Sequence, residues 1–210
     1  MFTIVRSFPA SGWWLLPLLL AAASCAHRGG GIVTTSQPGV SKDEEVMAID
    51  QKLFLDVPLN TDEPNPCSPP EPDPDWLGMV IQAPQQVTFK RGVTVGDNEA
   101  FAAIPICGYM LLEVLSVPED AEMLLVAVDR RSGKIYRGEV VELDPSPVIP
   151  PPPSPPLSDE ELEGLASGGY FNPNLADFVP LPQEPGEYHV HVEFGKAKSN
   201  EVTIKVVEEK

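Results

Sequence analysis

Tyr188, Val190, Val192 and Phe194 alternate with Glu187, His189, His191 and Glu193 near the C-terminus. Only an extended strand sends every second side chain to the same side, so this stretch has a core face and a wet face. After Gly195–Asn200 the pattern resumes, with Val202, Ile204 and Val206 alternating with Thr203 and Lys205. The two runs predict a terminal antiparallel hairpin. Upstream, Val80-Ile81-Gln82, Val87-Thr88-Phe89 and Val93-Thr94-Val95 are short β-rich runs, the last ending at the turn cluster Gly96-Asp97-Asn98. Met110–Leu115 and Met123–Asp129 are apolar runs split by Pro118-Glu119-Asp120. Arg131-Ser132-Gly133-Lys134 then joins Leu124–Val128 to Ile135–Leu143 as a second hairpin. Short strands with turn signals every 8–12 residues or so predict an all-β sandwich or barrel.

Pro185-Gly186-Glu187-Tyr188 opening the penultimate strand, and Ser199-Asn200-Glu201-Val202 leading into the last, resemble the final two strands of bacterial immunoglobulin-like domains. The resemblance covers residues 181–207 well and residues 77–143 through strand rhythm. It implies an immunoglobulin-like antiparallel β-sandwich over residues 76–210, with a Pro-rich insertion at 144–183 and one short helix. It also implies that Tyr188 is a tyrosine corner, its ring in the core and its hydroxyl bonded to nearby backbone. That sandwich hosts binding, spacing and scaffolding roles alike, so the fold brings no function with it.

Within the insertion, residues 145–156 (PSPVIPPPPSPP) are restricted to extended polyproline, a stiff spacer of about 3.1 Å per residue. Ser158-Asp159-Glu160-Glu161 matches a capping box, predicting a helix through Ala166 that stops at Gly168-Gly169. Tyr170, Phe171, Leu175, Phe178, Val179 and Leu181 follow, interrupted by Asn172-Pro173-Asn174. So apolar a segment folds back onto the sandwich or presents a recognition surface, and composition favours folding back. Tyr170, Phe171 and Phe178 are the candidate partner contacts.

The N-terminus reads as an address. Arg6 is the only charge before the apolar run Trp13–Leu20, and Ala21-Ala22-Ala23-Ser24 lead to Cys25. A charged start, a short apolar core and a small-residue exit make a cleaved export signal over residues 1–24. The run is shorter than the roughly 20 residues that a membrane span needs, and Pro17 removes a helix donor. Ala-Ala-Ser-Cys resembles the lipobox of bacterial lipoproteins, although that family usually has Leu where Ala22 stands. The resemblance implies a diacylglyceryl thioether on Cys25 and membrane attachment through that N-terminal lipid. Ala26, in place of the inner-membrane retention Asp, implies the outer membrane, with the domain in the periplasm.

Residues 25–75 have a tether's composition. Gly29-Gly30-Gly31 opens it, and residues 61–75 are almost wholly proline, acid and small polar residues. Such a stretch buries too little apolar surface to offset chain entropy. Between them Val46–Leu59 holds enough apolar residues for one short element that docks on the chain's own domain or on a partner. The 25 prolines among 210 residues are more than twice the usual share of about 5%, and they gather in this tether and the insertion. The whole chain has 14 basic and 31 acidic residues. Removing residues 1–24 takes away Arg6 and no acid, leaving 13 against 31, a formal charge of −18. That field repels nucleic acid and anionic lipid alike.

Two cysteines remain after Cys25, and in an oxidising compartment Cys67 and Cys107 are expected to pair. By loop entropy such a closure stabilises by roughly 3–4 kcal/mol. His189, His191 and Glu193 share a strand face, a pattern found in zinc sites. Without a third histidine in the domain, a solvated face is the expected reading, with no metal or other cofactor. No nucleophile elbow, phosphate loop or Cys-x-x-Cys pair occurs. The expectation is a non-catalytic, lipid-anchored envelope protein that binds or braces another envelope protein. A periplasmic enzyme inhibitor and a carbohydrate-binding module are the alternatives. Cys25→Ala should abolish fatty-acid labelling and leave the precursor unprocessed; an unlabelled wild-type protein would refute the anchor.

Overall fold

The computed structural model describes residues 50–73, 75–96, 99–141 and 157–210, with the backbone of Thr3–Ser7. Cys25 and the proline run 145–156 lie outside the described residues, as does part of the Gly96-Asp97-Asn98 turn.

In chain order the strands are β1 (Thr3–Ser7), β2 (Gly78–Gln82), β3 (Gln86–Phe89), β4 (Cys107–Glu113), β5 (Met123–Asp129) and β6 (Ile135–Glu139). Then come helix α1 (Asp159–Leu162), β7 (Leu165–Phe171), helix α2 (Leu175–Phe178), β8 (Gly186–Phe194), β9 (Ala197–Lys198) and β10 (Val202–Glu208). They form an all-β sandwich. One sheet runs β1-β7-β4-β2, and the other β3-β10-β8-β5-β6 with β9 beside β8.

The terminal hairpin forms as its alternation predicts. β8 and β10 pair antiparallel, with Ile204 opposite Tyr188 and Val202 opposite Val190. β5 takes β8's other side, placing Ala127 opposite Val190 and Leu125 opposite Val192. The second predicted hairpin, β5 with β6, turns where Asp129 Oδ1 accepts the Ser132 N–H at 2.6 Å and Gly133 takes φ 72°. Facing this layer, Met79 and Ile81 of β2 join Met110 and Leu112 of β4 in one core with Leu125, Tyr188, Val190 and Ile204. One pairing departs from the antiparallel expectation. The chain crosses between sheets at Ala83-Pro84, and β3 then lies parallel to β10, with Val87 opposite Val206.

The insertion folds back. α1 starts as the capping box predicts, with Glu161 Oε2 accepting the Ser158 N–H at 2.9 Å. It ends a turn early, at Gly164 with φ 74°, and Gly168-Gly169 sit inside β7. The reason is close approach: a Cβ on Gly168 would collide with the Met110 carbonyl across the β4–β7 pair. Beyond β7, Leu175 and Val179 enter the core.

The two asparagines that interrupt this apolar segment are buried and hold the insertion in place. Asn174 Oδ1 accepts the Ile104 N–H at 2.8 Å, and its Nδ2 donates to the Ala102 carbonyl at 3.3 Å. Asn172 Oδ1 accepts the Thr61 N–H at 2.6 Å, and its Nδ2 donates to the Pro58 carbonyl at 2.9 Å. Asn60, at φ 58°, completes the clasp by accepting the Asn174 N–H at 2.9 Å. Losing such a partner leaves a buried group unsatisfied, at a cost of about 1–3 kcal/mol each. Residues 50–73, read from composition as tether, are thus fastened to the sandwich.

Tyr188 is 1% exposed, as the corner reading requires of its ring. The expected hydroxyl bond to backbone is not made. Among the described residues nothing accepts from or donates to that hydroxyl, which lies over Gly186, and the ring meets Tyr136 edge-on at 6.2 Å. Burial, with the nearby Tyr136, pushes the phenol up to about 12 from its ordinary 10.0. Below pH 10 both folded and unfolded chains keep this proton. Above it the unfolded chain loses the proton first, so stability falls until the folded phenol also ionises near pH 12. The loss is roughly 2–3 kcal/mol. Tyr188→Ala should destabilise by about 3–5 kcal/mol at neutral pH. Tyr188→Phe should melt within about 1 kcal/mol of wild type, since no bond is lost, and lack the alkaline decline. Melting followed from pH 8 to 12 checks both.

Candidate functional site

Strand β4 explains which side of the first sheet faces outward. Met110 and Leu112 point into the main core, whereas Cys107 belongs to a separate cluster with Phe54 and Cys67. Odd-numbered β4 residues therefore form an outer face, and Tyr109 is one of them. A 3₁₀ turn, Gln51–Phe54, is started by Asp50, whose side chain accepts the Lys52 N–H at 3.0 Å. It delivers Phe54 onto this face. Cys67 and Cys107 form the expected disulfide, closing 40 residues.

Beside the disulfide, three rings share the outer face. Tyr170 of β7 stands opposite Tyr109 in register, with ring centroids 5.0 Å apart and planes tilted by 60°. Trp76 meets Tyr109 at 6.2 Å and 35°. Its indole lies against Gly78, where a Cβ would come within 3.1 Å of the six-membered ring. Trp76 and Tyr170 are half-buried, and Tyr109 between them is buried. No periodicity in the sequence links residues 76, 109 and 170; only the order β7-β4-β2 brings them together.

The three candidate contacts separate. Tyr170 stays on the surface. Phe171, 8% exposed, turns inward and covers Gly108, where a Cβ would collide with its ring. Phe178 packs against the main core, and its carbonyl closes on Gly138 of β6.

The histidine pair does not converge on a common point. His189 Nδ1 lies 3.2 Å from both Thr203 Oγ1 and Glu201 Oε1. His191 Nε2 instead meets Glu193 Oε1 at 3.0 Å. The solvated face expected here needs correction at His191, which is 6% exposed, with its Nδ1 unpartnered among the described residues. Val126, opposite it on β5, is equally covered at 1%. Among the described residues no group of three His, Cys, Asp or Glu side chains is placed to hold a metal ion.

The other shifted groups have structural causes. Donation from the Ser132 N–H and hydroxyl lowers the Asp129 carboxyl, and the Ser158 N–H and hydroxyl lower Glu161. Arg91 donates to Glu208 from two nitrogens, at 3.0 and 3.1 Å, which lowers that carboxyl. These are a turn, a helix cap and a surface ion pair. Comparisons with protein-family models, curated proteins and solved structures find no match.

The disulfide is the covalent tie between residues 50–73 and the aromatic face. Replacing Cys67 and Cys107 with Ser should cost about 4 kcal/mol by loop entropy over 40 residues. Protease cleavage should then begin within residues 50–73, before the sandwich unfolds. Unchanged melting and cleavage sites would show that the hydrogen bonds suffice alone.

Proposed function

We propose that this chain is a non-catalytic envelope protein, lipid-anchored at Cys25, whose immunoglobulin-like sandwich binds another envelope protein. The observation that carries the reading is the aromatic face of the first sheet, where Tyr170, Tyr109 and Trp76 meet above strands β7, β4 and β2. Aromatic residues supply much of the energy at the centres of protein interfaces. Their clustering beside a disulfide-fixed segment gives a rigid surface, which lowers the entropy lost on binding.

The same rings favour a second reading, a carbohydrate-binding module. Sugar stacking needs open ring faces, whereas the central Tyr109 is buried and its neighbours are tilted by 35° and 60°. A protein contact suits that surface better. The inhibitor reading needs a pre-organised exposed loop, and the apolar loop that offered one is folded into the sandwich through Leu175 and Val179.

A photo-crosslinking residue in place of Tyr170, activated in intact envelopes, should trap one discrete protein. The same probe at Arg137, exposed on the other sheet, should not trap it. Crosslinks to glycan at position 170 would favour the carbohydrate reading; equal trapping at both positions would remove the assignment of this face.

A further inference from the structure

The outer edge of β7 is unlike the other sheet edges. On one side β7 pairs with β4 from Gly108 to Glu113. Among the described residues its other side carries β1, with Thr3 opposite Gly168, Ile4 opposite Ser167, and an irregularity before Ser7 meets Leu165. Those five residues fall inside the segment read as the export signal. Once the chain is cut before Cys25, the backbone groups of Leu165–Gly168 lose that neighbour.

Exposed edges invite pairing with foreign strands, and folded proteins blunt them with charge, proline, brevity or a cover. The remaining edges follow this rule. β6 carries Arg137 and Glu139. β3 is four residues long and runs into Lys90 and Arg91, which pair with Glu209 and Glu208. On β2, Asn200 accepts the Ile81 N–H at 2.7 Å and donates to the Ile81 carbonyl at 3.0 Å. β7, Leu-Ala-Ser-Gly-Gly-Tyr-Phe, has no charge and no proline.

We propose that, resting on the reading of residues 1–24 as a removed signal, this edge is a docking site for an extended antiparallel strand of another protein. The strand that sits there in the full chain, Thr-Ile-Val-Arg-Ser, defines the chemistry. It is β-branched, carries one positive charge and has no acid. Main-chain hydrogen bonds supply affinity in such strand addition, while side chains supply selectivity. A mature chain at −18 attracts a basic strand and repels an acidic one, and by the same charge it repels a second copy of itself.

The test uses mature protein purified from envelopes in detergent, its N-terminus fixed by mass spectrometry, and the synthetic peptide Phe-Thr-Ile-Val-Arg-Ser-Phe. Exchange of those amides of Leu165–Gly168 that point away from β4 should be fast alone and slow about tenfold with peptide near 1 mM. The peptide with Glu in place of Arg should protect much less. Absent protection, or equal protection by the acidic peptide, in protein that begins at Cys25 overturns the edge proposal and leaves the export reading standing. An N-terminus at Met1 with Leu165–Gly168 already protected overturns both.

Discussion

Three asparagine amides and one disulfide fasten residues 50–73 and the segment after β7 to the first sheet. Residues 50–73 hold too few apolar side chains to fold alone. Their fixation comes from Asn60, which accepts from Asn174, and from Asn172, which engages Pro58 and Thr61. The same amides hold the segment after β7, because Asn174 also binds both Ala102 and Ile104. Two stretches far apart in sequence thereby fix each other. β7 then has one register against β4, and Tyr170 arrives beside Tyr109. Such a network is strongest at Asn174, whose bonds to Ala102 and Ile104 are buried, so a lost partner there strands a polar group in low dielectric.

This explains what could be read from the chain and what could not. β8 and β10 announce themselves through period-two alternation, and β5 and β6 through apolar runs joined by the turn residues Arg131–Lys134, because each pair is a hairpin of sequence neighbours. The capping box at Ser158–Glu161 was equally local and equally legible. β7 was not. Gly168-Gly169 reads as a helix stop, but glycine also permits close backbone approach, and only the Met110 carbonyl on another strand decides between the two. Amide partners 70 to 114 residues away leave no mark in composition, so nothing in the sequence marks Asn172 and Asn174 as buried. His191 fails for a related reason: alternation tells which side a residue faces, not whether that side is covered.

Charge is arranged so that it shapes the surface without burdening the core. The acids with lowered carboxyls cap a turn, cap a helix or pair with Arg91, and all lie outside the core. Exposed pairs of this kind add little stability. Their consequence is a long-range field that selects against anionic partners. The aromatic face is different, since Trp76, Tyr109 and Tyr170 lie together without a charge in the trio.

Strand β7 joins the two proposed modes of contact. Its side-chain direction gives Tyr170 to the outer face, and the backbone direction that β1 occupies in the full chain gives Leu165–Gly168 to the proposed edge. A partner strand added there would extend the first sheet and lie next to Tyr170, which stands two residues beyond Gly168. Backbone pairing alone has little selectivity, and an aromatic face alone accepts many apolar surfaces. Placed at right angles on one strand, each restricts what the other admits: a partner must present an extended basic segment and an apolar surface at a fixed offset. That offset is set by the β4–β7 register, which depends in turn on Gly168 and on the asparagine clasp.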